Sequence, residues 1–223
     1  MHVLWLGRVA KGAPKSRAPG TAHTYDPNGN LTADGSKTYT YDIENRLVKA
    51  VSGGQTTNLT YDPLGRLYQV DRGASTTRFL NDGDALALEF NSSNAVTNRY
   101  VHGSNAAADD PLVWYAGSGL TNKRWLHADH LGSIIAFTNS SGGSPTINKY
   151  DEYGLPAGIN SGRFQYTGQA WIGELGLYYY KARFYDPKLG RFMQVDPVGY
   201  EDNLNLYTPM SAMIRSTAVT QPV

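Results

Sequence analysis

The stretch GQAWIGELGLYYYKARFYDPKLGRFMQVDPVGYEDNLNLY, Gly168 to Tyr207, governs how the rest of the chain is understood. It holds a triple tyrosine at Tyr178, Tyr179 and Tyr180, a Tyr185-Asp186-Pro187 turn, a Gly190-Arg191-Phe192 step and a second turn at Asp196-Pro197-Val198-Gly199. Each proline fixes its own φ, and the carboxylate before it can hold the turn amides, so these are corners set between aromatic strands. Working outward, the same grammar recurs. Tyr25-Asp26-Pro27-Asn28-Gly29-Asn30-Leu31, Tyr41-Asp42-Ile43-Glu44-Asn45-Arg46-Leu47 and Tyr61-Asp62-Pro63-Leu64-Gly65-Arg66-Leu67 align as Y-D-x-x-(G/N)-(N/R)-L, and Tyr150-Asp151-Glu152-Tyr153-Gly154 is a further copy. Copies at an irregular spacing of roughly twenty residues point to repeat units that bury their faces against their neighbours.

Between the corners the pattern has a period of two, as in Lys37–Tyr41, Arg46–Val51, Thr56–Tyr61, Ala85–Phe90 and Val96–Val101. This predicts an all-β chain of meandering antiparallel strands with aromatic inward faces, and only Gln169–Gly176 reads as a short helical turn. Composition agrees: 24 Gly, 11 Pro and 16 Tyr deplete helix interiors and enrich strands and turns. A net charge of +1 without a Lys/Arg cluster argues against nucleic acid as a partner. The absence of cysteine removes disulfides, thiolate nucleophiles and thiolate metal sites. No apolar run approaches the roughly eighteen residues of a membrane span, and Met1–Leu6 followed by the basic, Pro/Gly/Ala-rich Gly12–Gly20 does not make a secretory signal.

The combination of YDEYG at 150–154, QYTGQ at 165–169, GLYYYKARFYDPKLGRF at 176–192 and D-P-x-G at 196–199 followed by NLY resembles the RHS/YD-repeat family, together with HADHLGS at 127–133. It resembles most the RHS repeat-associated core, which is similar to the YD shell of the teneurins, and the likeness runs from Tyr25 to Tyr207. The resemblance implies the C-terminal part of a β-shell that coils around a C-terminal toxin polypeptide. It further implies partners in the rest of that shell and in the enclosed chain, and a secreted or cell-surface location as part of a longer bacterial protein. No cofactor is implied.

His127, Asp129 and His130 come nearest to a metal constellation, but zinc needs three or four converging ligands and consecutive strand-turn residues diverge. The resemblance instead has Asp129 and His130 bonding turn amides. The row Tyr178, Tyr179, Tyr180, Phe184, Tyr185 and Phe192 could stack on surface glycans; in strands its members alternate, so half are expected in the core and half on the surface.

The resemblance also implies an aspartyl self-protease at the end of the core: one Asp in a D-P-x-G turn, a second in another such turn downstream, and an upstream Arg. Two close carboxylates share a proton, so that one activates water while the other protonates the scissile amide. Asp196 matches the first aspartate and Arg183 the arginine, whereas the second aspartate has no counterpart, and the pair is therefore read as vestigial. Shifted by one base, the codons from Tyr207 onward are compatible with Y-V-G-N-D-P-V-N-R-S-D-P-T-G, which places the missing aspartate across Val219 and Thr220. A frameshift near Tyr207 is the resulting hypothesis, with a merely divergent tail as its alternative.

The chain is thus divided into a disordered or non-native lead (1–23), a shell and core (24–207) and a divergent tail (208–223). A strip of such a shell is expected to expose hydrogen-bonding edges and to be marginally stable. A structural shell fragment is the first reading of function, with a self-cleaving core and a carbohydrate or cell-surface binder as alternatives.

Overall fold

A computed structural model describes residues 23–104, 109–197 and 206–207. The lead through residue 22 and the tail from 208 lie outside the described residues. Thirteen strands form one sheet in strict chain order, every pair antiparallel. They are β1 (Thr24–Tyr25), β2 (Leu31–Ala33), β3 (Lys37–Tyr41), β4 (Leu47–Ser52), β5 (Gln55–Tyr61), β6 (Leu67–Arg72) and β7 (Ser75–Asp82). The row continues with β8 (Ala85–Phe90), β9 (Val96–His102), β10 (Pro111–Ala116), β11 (Lys123–Ala128), β12 (Ile134–Thr138) and β13 (Thr146–Ile147). A second sheet follows, of β14 (Ala170–Ile172), β15 (Leu177–Tyr180), β16 (Arg183–Asp186) and β17 (Arg191–Phe192), again in order. The all-β meander is as expected. The helical turn is displaced: among the described residues the one 3-10 turn covers Tyr166–Gly168, while 169–176 holds β14 and a hairpin turn closed by the Gly176 amide on the Ile172 carbonyl at 2.9 Å.

One corner recurs along the chain. At Asp42, Asp62, Asn91, Asp129, Asn139 and Asp151, the side-chain Oδ1 accepts the amides two and four residues ahead at 2.8–3.1 Å. The amide three residues ahead donates to the carbonyl of the same Asp or Asn at 2.9–3.1 Å. That third residue has a positive φ, as at Asn45 (62°) and Gly65 (79°), which is why the motif carries Gly or Asn there. The ladder slips by one residue beside the corner, pairing Tyr41 with Leu47 and Tyr61 with Leu67.

The tyrosine of the motif ties one repeat to the one before. Tyr41 donates its hydroxyl to the Leu31 carbonyl (2.8 Å), Tyr61 to Leu47 (2.7 Å) and Tyr150 to Ile134 (2.8 Å). Each acceptor is the first strand residue after an earlier corner, and each acceptor's side chain is buried. The phenol thus bonds a carbonyl at the corner exit while the rings of Tyr41 and Tyr61 pack on the core and that of Tyr150 lies 5.9 Å from the Tyr166 ring.

The second sheet packs against the inner face of the first. Leu31, Leu47, Leu59, Val70, Phe79, Tyr100, Trp114 and Phe137 of the wall share one buried cluster with Phe164, Ile172, Leu177, Tyr179, Phe184 and Met193. Corner exits are also fastened to this C-terminal part: the Leu31 amide donates to Met193 O (2.9 Å), Leu67 to the Tyr179 hydroxyl (3.0 Å) and Ile134 to Gln165 O (3.0 Å). Laid flat, β2 and β12 would be ~48 Å apart, whereas the four-stranded sheet is only ~15 Å wide. Leu31 of β2 bonds Met193 just past β17, and Ile134 of β12 bonds Gln165 just ahead of the 3-10 turn that precedes β14, so the wall curls around the small sheet.

Candidate functional site

Arg183 opens β16, directly after a two-residue turn in which Lys181 has φ 60°. Its side chain is 6% exposed, with the guanidinium carbon 3.9 Å from the centre of the Phe192 ring. Arg183 Nη2 meets Asp196 Oδ2 at 2.8 Å, and Nη1 donates to the Leu206 carbonyl at 3.4 Å. The Asp196 amide donates to the same carbonyl at 3.1 Å. Burial pushes the Arg183 guanidinium below its usual range and Asp196 works against that push; an arginine stays charged regardless. The two residues singled out in the sequence are therefore brought together as an ion pair. Any partner aspartate of the sequence reading falls in residues outside those described.

The aromatic row alternates faces as strands require, but neither half is on the surface. Tyr179 and Phe184 join the wall-facing core, while Tyr178, Tyr185 and Phe192 form a second buried cluster with Trp171 and Tyr180. Their hydroxyls are spent inside: Tyr178 donates to Gly154 O (2.9 Å) and Tyr185 to Tyr153 O (3.0 Å), both carbonyls of the Tyr150-Asp151 corner. The expected exposed half is corrected: the sheet is covered on both sides, and this row offers no glycan platform.

At the HADHLGS corner, Asp129 Oδ1 accepts the Leu131 and Ser133 amides at 2.9 Å each. Among the described residues the exposed His130 side chain has no such bond to a turn amide, contrary to expectation, and His127 Nε2 lies 3.1 Å from the Thr138 hydroxyl. Among the described residues no three potential metal ligands cluster.

A buried network escaped the sequence reading. Arg163 Nε meets Glu89 Oε1 at 2.7 Å and Nη2 donates to Oε2 at 3.2 Å; Tyr100 and Asn98 donate to the same carboxylate at 2.9 and 3.0 Å. Trp114 Nε1 in turn donates to Asn98 Oδ1 at 2.6 Å. Burial opposes the charge on Glu89, yet the Arg163 guanidinium and these donors hold its carboxyl below the ordinary value. The partners are 74 residues apart and follow no local spacing, so no sequence signal announces them.

The Teneurin YD-shell family matches residues 17–215. The chain is 33% identical over 185 residues to the tRNA3(Ser)-specific nuclease WapA of Bacillus spizizenii, covering 78% of this chain and 8% of that protein. It is 29% identical over 223 residues to the double-stranded DNA deaminase toxin A of Burkholderia cenocepacia, covering 82% of this chain and 16% of that protein. Among solved structures, the Photorhabdus luminescens Tc holotoxin pore superposes with a TM-score of 0.64 at 22% identity over 84% of this chain and 10% of that one, a likeness of fold. The chain thus spans less than a fifth of the length of each of these relatives. With a curled wall of Tyr-Asp corners, an inner C-terminal sheet and a family match over most of its residues, the chain belongs to the teneurin YD-shell family.

Proposed function

We propose that this chain is the C-terminal section of an RHS shell from a polymorphic toxin, a wall segment and its inner sheet that help to enclose a C-terminal toxin polypeptide. The observation that carries the reading is the wall itself: thirteen sequential strands curl around a small sheet whose side chains are used for packing and corner ties. One relative is named for a tRNA nuclease and another for a DNA deaminase, yet both share this stretch over a small part of their length. What a nuclease and a deaminase have in common is not the catalytic centre of either. Containment is a task that both would need.

The partners are then the remainder of a longer shell and the enclosed polypeptide, and the location is secreted or cell-surface with that longer protein. No helix among the described residues is long and apolar enough to cross a membrane. Limited proteolysis of the polypeptide as its gene encodes it tests the reading. A segment downstream of the core should stay protected until denaturant opens the shell; its digestion at the same rate as exposed loops would refute containment.

The self-cleaving reading is favoured by one observation, the Arg183–Asp196 pair, and we regard that pair as inactive here. A carboxylate paired with arginine needs a second carboxyl to share a proton before it can activate water. Incubation of the purified chain followed by intact-mass measurement should show a single unchanged species, and a defined fragment pair would overturn the assignment. Sequencing the gene through the codons for Tyr207 to Val223 separates a frameshift from a divergent tail.

A further inference from the structure

Asp196 lies where the first corner of the wall meets the last described residues. Tyr207 donates its hydroxyl to the Gly29 carbonyl at 2.6 Å across 178 positions of sequence. Arg191 places its guanidinium carbon 4.1 Å from the Tyr207 ring centre and 5.4 Å from that of Tyr25, and its Nη1 donates to the Tyr25 hydroxyl at 3.0 Å. Leu206, next in the chain, accepts from both Asp196 and Arg183. Leu206–Tyr207 is therefore held from one side by the ion pair and from the other by the corner.

Gly29 leaves no slack in this contact. A Cβ there would come 2.5 Å from Val195 Cγ2 and 2.8 Å from the Tyr207 hydroxyl. Gly65 has the same place in its own corner and nearly the same φ (79° against 84°), but its Cβ would meet nothing closer than Arg46 Nη1 at 3.6 Å. Backbone conformation accounts for both glycines; only at position 29 is the space itself occupied. An ion pair with a partly exposed member is too weak to order a chain segment unaided, and the stacked cation and the corner contacts add to it.

We propose that the first corner of the wall, through Gly29 and the Tyr25–Arg191–Tyr207 clasp, is the positioning element that sets Asp196 opposite Arg183, so the pair forms only when the opening strand of the wall is folded. This deepens the assignment of Arg183 and Asp196 as the site, and it is read without any cleavage. Gly29→Ala and Gly65→Ala both put a side chain at a left-handed φ, yet only the first intrudes on Val195 and Tyr207. Site-resolved amide exchange on the full chain should show Asp196 and Leu31 accelerated at least about tenfold in Gly29→Ala and less than about twofold in Gly65→Ala, with Val70 of β6 unchanged in both. Tyr207→Phe keeps the ring and removes the bond to Gly29; it should accelerate Asp196 alone by about threefold. Should Gly29→Ala also expose Val70, the variant is globally unfolded and Tyr207→Phe decides. Equal acceleration in the two glycine variants, or an unchanged Asp196 amide in Tyr207→Phe, would overturn the proposal. An intact-mass measurement on the same samples reports cleavage separately.

Discussion

Asp42 does three jobs with one carboxylate: Oδ1 accepts the Glu44 and Arg46 amides at 2.9 Å each, and Oδ2 accepts Arg46 Nε at 2.8 Å. Alanine at this position removes the turn's acceptor, and Asp42→Ala should lower the unfolding free energy by about 1–2 kcal/mol in a urea titration. Burial opposes ionisation of Asp42, but the bonds from Arg46 and Glu44 outweigh it and hold the carboxyl below its ordinary value; Asp62 with Arg66 behaves alike. A depressed folded-state value means that this stability is present above about pH 4 and is lost as pH falls through the folded-state values. Asp186 runs the other way. It is 2% exposed, and burial raises its carboxyl above the ordinary value, so its contribution is present below about pH 4 and is lost as pH rises through the raised value. Asparagine already serves as the corner acceptor at Asn91 and Asn139, so Asp186→Asn should keep its turn. Chemical melts should find Asp186→Asn at least as stable as the parent at pH 7 and Asp42→Asn less stable; the reverse order would contradict this account of the two corners.

Between elements the ties are of two kinds. Tyrosine hydroxyls join successive repeats, and Tyr61→Phe removes one such bond and leaves the buried Leu47 carbonyl without it. The expected loss is about 1–2 kcal/mol, measured by the urea midpoint at constant slope. The other kind spans the two sheets: Glu89 on β8 holds Arg163, whose Nη1 donates to the Trp171 carbonyl on β14 at 2.7 Å. Arg163→Met leaves a buried carboxylate without its cation and should cost about 3–5 kcal/mol, most of which the double variant Glu89→Gln/Arg163→Met should recover. The Tyr-Asp motifs were legible in the sequence, but the bond from each tyrosine hydroxyl was not, because its acceptor is a backbone carbonyl of an earlier corner. The polar run Asn91–Asn94 reads as a turn and Asn139–Pro145 as a flexible link, but that both are built like the aspartate corners escapes a reading keyed to tyrosine followed by aspartate, although an asparagine oxygen accepts the same amides.

For the whole molecule, two features of the described residues bear on the weak stability and exposed edges expected of a strip of repeats. Among the described residues, the edges of the large sheet are two-residue strands, β1 and β13, which offer little to a foreign chain. One hydrophobic cluster runs through both sheets, so neither loses its partner without exposing the other. Thermal unfolding should therefore be a single transition with coincident far-ultraviolet and tyrosine near-ultraviolet signals. Two separated transitions would mean that the inner sheet and the wall fold independently.

Sequence alone determined the corners and the strand period, because an Asp or Asn whose side chain reaches amides two and four residues ahead is a local device that needs no distant partner. It also named Arg183 and Asp196 through the motif that contains them. Tertiary structure decided what covers the aromatic row, which cation lies against Glu89, and that Gly29 touches Tyr207. These depend on how far the wall curls, a sum of small twists over thirteen strands that no single repeat encodes.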